Sequence, residues 1–136
     1  MTLSVTQLQL GAWQRIMQAE PSATLIQQSS ASPVNFQLSN INLSGWRSGP
    51  SQTTPVLCLH GWLDNANSFL PLAAAMSTQS LLAMDFAGHG LSSHRSPDAH
   101  YYLFDYVADL VELIQQQSWS KLHIIGHSMG GMVATA

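Results

Sequence analysis

Three short apolar runs limit the folds that this chain can adopt. They are "VLCL" at 56–59, "LLAM" at 81–84 and "LHIIG" at 122–126. None of them alternates cleanly between apolar and polar residues, which is the pattern of strands buried on both faces of a parallel sheet. Helical patterns lie between them, at 69–76 and 101–117. This alternation predicts an α/β fold with a mostly parallel sheet and flanking helices.

The longer helical pattern has one apolar face. Apolar residues recur at helical spacing at Leu103, Tyr106, Val107, Leu110 and Ile114, which predicts a surface helix with one buried stripe.

The segment before the first apolar run predicts a hairpin. Over residues 34–46 the apolar residues alternate with polar ones, and this alternation shifts by one position at the turn-forming residues Ser39 and Asn40. The shift predicts two short strands joined by a turn. The alternating residues are Phe36, Leu38, Ile41 and Leu43.

The chain divides into two unequal parts. Residues 1–32 are rich in Gln and Ser, and we predict an N-terminal extension that is weakly structured or forms a short helix. Residues 33–136 carry the strand and helix patterns and form the predicted domain. The apolar face of the short helix would consist of Leu10, Trp13, Ile16 and Met17.

Composition excludes several classes of function. Lys and Arg total 4, Asp and Glu total 7, and no basic stripe is present, so we predict no nucleic-acid partner. Charged residues are only 8% of the chain, against a usual value of roughly 25%, which suggests that part of the surface is normally covered. The sequence has neither a membrane-span pattern nor a signal-peptide pattern, so we expect a cytoplasmic protein.

The single cysteine, Cys58, cannot form an internal disulfide, which fits a reducing compartment. It lies inside the apolar run "PVLCLHG", so we predict an inert, buried thiol. The alternative is a reactive thiol, which needs an electropositive setting.

The stretch "GHSMGG" places Gly126, Ser128 and Gly130 in the pattern G-x-S-x-G, directly after a predicted strand and before a helical start. This context is typical of a nucleophilic serine on a sharp turn. We predict a positive or otherwise strained φ at Ser128 and a side chain that is free of the sheet. The alternative is a serine that only caps a helix after a glycine turn.

The loop "LHGW" follows the first apolar run. Ligands bind outside the carboxyl ends of parallel strands, so this loop and Ser128 should meet at one end of the sheet. The amide N–H groups of Trp62 and Met129 are candidate donors to a developing oxyanion, and we predict that they converge near Ser128 Oγ. We interpret His60 as bracing the loop, because it precedes the nucleophile in chain order.

A third loop, "DFAGHGLS", begins at Asp85. A phosphate-binding loop is the rival interpretation, but neither G-K-[ST] nor GxGxxG is present. The six histidines lack the spacing of known metal sites. We therefore predict neither a metal nor a cofactor. The residues predicted to support the serine site are His60, Gly61, Gly126, His127 and Gly130.

Taken together, "LHGWLDNANSFLPLA", "AMDFAGHGLSSHR" and "HIIGHSMGG" resemble the α/β-hydrolase superfamily and, within it, serine hydrolase-like proteins. The resemblance covers residues 34–136. It implies the N-terminal part of an eight-stranded, mostly parallel sheet, with Ser128 as nucleophile and the Trp62 and Met129 amides as oxyanion hole. It also implies hydrolysis of a small-molecule ester or other acyl bond through an acyl-enzyme, without a cofactor. It disfavours the dehalogenase and epoxide-hydrolase relatives, which carry aspartate as nucleophile.

The acid and the histidine of a catalytic triad are not evident in the chain. In this fold they follow the serine in chain order, yet none of the eight residues after Ser128 is acidic or His. We expect them beyond Ala136, so the chain alone should be inactive. The alternatives are an internal base, either His89 with Asp85 or His127, and a non-catalytic chain that acts at most as a binding partner. Without later strands, the strand at 122–126 should form an exposed apolar edge, so we expect residues 1–136 to aggregate or to need a partner.

Overall fold

The structure is a computed structural model, and it describes Ser4–Val5 and residues 31–136. One sheet runs through the described part. Its strands are β1 (Ser4–Val5), β2 (Ser32–Gln37), β3 (Asn42–Ser48), β4 (Val56–Leu59), β5 (Leu81–Met84) and β6 (His123–Gly126). A 3-10 turn (Ala66–Phe69) leads into helix α1 (Leu70–Ala75), and α2 (Leu103–Gln116) and α3 (Met129–Thr135) follow.

The strand order is β1-β6-β4-β5-β3-β2. Strands β1, β6, β4 and β5 are parallel, whereas β3 is antiparallel to β5 and β2 is antiparallel to β3. The three central strands end level with one another, because Leu59 pairs with both Met84 and Gly126. The loops that follow β4, β5 and β6 therefore leave the sheet at one edge, here called the carboxyl edge.

The three apolar runs are confirmed as the central parallel strands. Every residue of β4 and β5 is buried, because both faces of the sheet are covered. Helices α2 and α3 pack on the face that carries Leu57, Leu59, Leu82 and Met84. The 3-10 turn and α1 pack on the opposite face, whose strand residues include Val56, Cys58, Leu81 and Ala83. This two-sided burial explains why the runs do not alternate.

The predicted hairpin is confirmed as β2 and β3, and its turn is closed by a hydrogen bond from Leu38 N–H to the Ile41 carbonyl. The predicted long helix is confirmed as α2. Its buried face is wider than the predicted stripe, because Asp109 and Leu113 are buried too, while Leu103 and Val107 are only half-buried. The buried Asp109 carboxylate forms an ion pair with Arg95 in the loop beside the helix, which compensates the cost of burying its charge.

Strand β6 is not the exposed edge that the sequence suggested. Ser4 pairs with His123 and Val5 pairs with Ile124, so β1 lies outside β6 in the sheet. The unpaired N–H and C=O groups of a sheet edge accept a further strand, and here the N-terminal segment of the same chain supplies it. The helix predicted over Leu10–Met17 lies outside the described residues. In the part of the chain that the structure describes, no helix combines the length and the apolar content that a membrane crossing needs.

Candidate active site

The turn between β6 and α3 has the predicted strained geometry. Ser128 has φ 51° and ψ −117°, which confirms the predicted positive φ. The residue is exposed, and among the described residues its hydroxyl has no hydrogen-bond partner. Ser128 stands at the N-cap position of α3, but its side chain makes no capping hydrogen bond, which does not fit the alternative of a serine that only caps a helix. The serine side chain is instead free to meet a ligand at the carboxyl edge.

Two glycines make this turn possible. A Cβ atom on Gly126 would lie 2.5 Å from the Gly130 carbonyl oxygen, and one on Gly130 would lie 2.1 Å from the Leu59 carbonyl oxygen. Both distances are shorter than real side-chain contacts, so backbone packs directly against backbone here. The first turn of α3 is closed by hydrogen bonds from Gly130 N–H to the His127 carbonyl and from Gly131 N–H to the Ser128 carbonyl.

His60 fixes the orientation of the loop after β4. It is fully buried, and its Nε2 accepts the Phe86 N–H at 2.9 Å, so the ring proton is on Nδ1. That Nδ1–H donates to the Gly61 carbonyl at 2.7 Å. The C=O and N–H of a trans peptide point in opposite directions, so the Trp62 N–H is directed away from His60. Burial is the largest cause of the lowered pKa of His60, which favours the neutral ring.

The loop after β4 contacts the serine turn through Gly61. A Cβ atom on Gly61 would lie 3.4 Å from Ser128 Cβ and 3.1 Å from His127 Nδ1. Trp62 lies in a turn, and within residues 31–136 its N–H donates to no other group. The Met129 N–H is likewise without an acceptor in that range. The convergence of these two N–H groups near Ser128 Oγ stays a prediction.

The residues proposed as an internal acid and base are hydrogen-bonded to other groups and not to each other. The Asp85 carboxylate accepts the Ala66 N–H at 2.7 Å and the Leu91 N–H at 2.8 Å, which ties together two loops of the carboxyl edge. His89 Nδ1 lies 3.1 Å from the Ala87 carbonyl oxygen and donates to it. His89 and Asp85 therefore do not form a base–acid pair. Elsewhere in the described residues, no three His, Cys, Asp or Glu side chains cluster as metal ligands.

Sequence reasoning missed Asp64, on the same loop as Trp62. Its Oδ1 accepts the Ser68 hydroxyl at 2.5 Å and the Asn65 N–H at 2.8 Å. Burial raises the pKa of Asp64, but these hydrogen bonds, together with His60 and His127, lower it by more, which favours the carboxylate. The Asp-Asn pair just ahead of a helical pattern was an available sequence signal.

Comparison with known proteins gives consistent matches. A family model described as alpha/beta hydrolase fold matches residues 54–136. The "Serine hydrolase-like protein" of Danio rerio is 51% identical over 88 residues, which cover 63% of this chain and 27% of that protein. The chain is thus similar to only the smaller part of that relative's length.

Solved structures agree with these sequence matches. A hypothetical protein from Pseudomonas aeruginosa PAO1 is 43% identical with a TM-score of 0.71, and the match covers 75% of this chain and 36% of that one. A thioesterase domain from the curacin biosynthetic pathway is 30% identical with a TM-score of 0.68, over 78% of this chain and 40% of that one.

Proposed function

The chain belongs to the alpha/beta hydrolase fold family, and from this premise we propose that it forms the N-terminal, nucleophile-bearing part of a serine hydrolase. Its substrate would be a small molecule with an ester-like or other acyl bond. One observation carries the proposal: Ser128 is exposed at φ 51° between β6 and α3, and its hydroxyl has no partner among residues 31–136. The predicted cytoplasmic location stays part of the same proposal.

In the proposed reaction, Ser128 Oγ bonds to the acyl carbon, and the carbonyl π electrons move onto the oxygen. The Trp62 and Met129 N–H groups would donate to this oxyanion. The serine proton passes to a histidine base and then to the leaving group, whose bond to the acyl carbon breaks. Water afterwards hydrolyses the acyl-enzyme and restores the Ser128 hydroxyl.

We propose that the acid and the histidine base come from outside the described residues. Both ring nitrogens of His60 are hydrogen-bonded within the loops, and His89 Nδ1 donates to the Ala87 carbonyl and not to the carboxylate that would orient a catalytic base. In this fold the acid and the histidine follow the serine in chain order. The matched chains extend well beyond the region of similarity, since the chain covers 27% and 36% of two of them.

The proposal is tested with a fluorophosphonate probe, which reacts covalently with activated serines. The whole open reading frame that contains residues 1–136, through its stop codon, is expressed and compared with residues 1–136 alone. We expect the first protein to be labelled and Ser128→Ala to abolish the labelling. Loss of the triad partners typically lowers the rate by about 10⁴-fold, so residues 1–136 alone should not be labelled.

Ser118→Ala is the matched control. Ser118 is also exposed and has φ 53°, but it follows α2 and lies outside the carboxyl edge. Its substitution should leave the labelling unchanged. Labelling that persists in Ser128→Ala would overturn the assignment of the nucleophile. Absence of labelling in every protein would instead support the alternative of a non-catalytic chain that binds a partner. Rapid, Ser128-dependent labelling of residues 1–136 alone would place the base among His60, His89 and His127.

A further inference from the structure

Leu63 has a backbone conformation and an exposure that are both unfavourable for leucine. Its φ is 57°, in the left-handed region that L side chains rarely adopt, and its side chain is 83% exposed. Two other described non-glycine residues have positive φ, Ser118 and Ser128. Ser118 terminates α2, where this conformation is common, and Ser128 forms the strained turn after β6. Leu63 lies in the turn after β4, where a positive φ usually falls on glycine or asparagine and not on leucine, and such outliers often mark functional sites.

Leu63 lies beside the candidate active site. It follows Trp62 in the turn whose first residue, Gly61, contacts Ser128. Trp62 is itself 56% exposed, and its ring packs edge-on against His89 with 5.3 Å between ring centroids. Trp62 and Leu63 therefore present adjacent exposed apolar side chains near the serine. An exposed apolar pair next to a reactive group suits contact with an apolar ligand.

The charges at the carboxyl edge disfavour an anionic ligand. Within residues 31–136, Arg47 and Lys121 lie at the opposite edge, since Arg47 pairs with Leu82 at the start of β5 and Lys121 precedes β6. Arg95 is on the carboxyl-edge side but forms an ion pair with Asp109. This leaves no unpaired Lys or Arg there in the described range. The Asp64 carboxylate, next to Leu63, would repel a negative group.

We propose that Leu63 is a specificity-determining residue that contacts the apolar acyl chain of an uncharged ester. This inference rests on the proposed serine hydrolase function and names its substrate class. The left-handed backbone at residue 63 would fix the direction in which the leucine side chain leaves the loop. Longer, uncharged acyl chains should then be preferred over acetyl groups and over chains that end in a carboxylate.

The kinetic test uses the protein from the whole open reading frame and compares p-nitrophenyl hexanoate with p-nitrophenyl acetate. Leu63→Asn and Leu63→Gly both tolerate positive φ, so neither should impair folding. We expect each to lower the ratio of kcat/KM for hexanoate to kcat/KM for acetate by about tenfold, as expected for a lost apolar contact. Most of the change should appear in KM for hexanoate.

Leu91→Asn is the matched control, because Leu91 is 86% exposed and its carbonyl accepts the Ser44 hydroxyl of β3, which β4 and β5 separate from β6 in the sheet. It should leave the ratio unchanged. If hydrolysis depends on Ser128 but the ratio is unchanged in both Leu63 variants, the inference about Leu63 is wrong and the proposed function stands. If no hydrolysis depends on Ser128, the proposed function itself is wrong.

A binding test checks the proposed contact of Leu63 with the acyl chain without requiring catalysis. Leucine methyl NMR signals of the Ser128→Ala protein are followed during titration with methyl hexanoate, methyl acetate and the anionic monomethyl adipate. The Leu63 signal is assigned by its loss in the double variant with Leu63→Asn. We expect that signal to shift saturably with methyl hexanoate. The dissociation constant read from the shift should be at least tenfold higher for methyl acetate and for monomethyl adipate. No shift, or an equal shift with monomethyl adipate, would contradict the inference.

Discussion

The carbonyl oxygen of Leu59 lies only 2.1 Å from the position that a Cβ atom on Gly130 would occupy. The end of β4 and the first turn of α3 are therefore in direct backbone contact. This contact holds the loop that carries Trp62 against the turn that carries Ser128. The proposed site depends on it, because Ser128 and Met129 lie in the turn, whereas Trp62, the other proposed oxyanion donor, lies in the loop.

Gly130→Ala tests this contact. The added methyl group would meet backbone atoms that cannot rotate away, so we expect the free energy of unfolding to fall by roughly 1–3 kcal/mol in urea unfolding. Gly131→Ala is the control, because its nearest contact would be an ordinary 3.6 Å from the Gly126 carbonyl oxygen. In a helix, that alanine should raise the free energy of unfolding by about 0.5–1 kcal/mol. Equal effects of the two variants would contradict the close contact.

Ser128→Gly separates backbone strain from chemistry. Glycine adopts positive φ at no steric cost, so we expect the free energy of unfolding to rise by roughly 0.5–1 kcal/mol. Ser128→Ala should change it by less than about 0.5 kcal/mol, because in the described part of the chain the hydroxyl has no partner to lose. Ser118→Gly, at φ 53°, should stabilise similarly but keep the fluorophosphonate labelling. A loss of stability in Ser128→Gly would argue against strain at this position.

Much of the fold was predictable because its signals are local. The runs at β4 and β5 are apolar throughout, and burial on both faces of a sheet demands this. The glycine pattern around Ser128 was equally informative, since a sharp turn leaves no room for side chains at positions 126 and 130. In both cases the residues that show the pattern in the sequence are the same residues that form the strand or the turn.

The remaining features depend on contacts between residues that are distant in sequence. Asp109 has the polarity of a solvent-facing helix residue, yet it is buried, and its charge is paired with that of Arg95, 14 positions away. Asp85 joins Ala66 to Leu91 through its carboxylate, which no local pattern encodes. The pairing of Ser4–Val5 with β6 likewise joins segments more than 100 residues apart.

The buried His60 predicts a loss of stability in acid. Burial is the main cause that lowers its folded pKa below the ordinary value of 6.5. Above about pH 6.5 the ring is neutral in both the folded and the unfolded chain. As the pH falls below that value, the unfolded chain takes up the proton first, so the free energy of unfolding decreases until the pH passes the folded pKa.

Urea midpoints at pH 7, 6 and 5 measure this effect. The decrease should be smaller in His60→Gln, whereas His127→Gln, which alters an exposed histidine, should retain it. Comparing variants cancels the contributions of other titrating groups. An equal pH dependence in His60→Gln and the unmodified protein would assign the decrease to other residues.

Cys58 should be unreactive in the folded protein. It is fully buried in β4, and burial raises the pKa of its thiol from 9.0 to about 12. Only the thiolate is nucleophilic, so we expect no reaction with a thiol reagent such as DTNB at pH 8, and full reaction after unfolding in urea. Rapid reaction of the folded protein would favour the alternative of a reactive thiol.

The raised pKa of Cys58 also predicts a loss of stability in alkali. Below pH 9 the thiol is protonated in both states, so its contribution to stability is fully present. Above pH 9 the unfolded chain loses the proton while the folded chain keeps it until about pH 12. The free energy of unfolding should therefore fall by up to about 1.4 kcal/mol per pH unit in that range. Cys58→Ala lacks this titration, so its urea midpoint should fall less steeply between pH 9 and 10.5. Parallel slopes for the two proteins would mean that the thiol ionises equally readily in the folded and unfolded states, which is incompatible with its burial in β4.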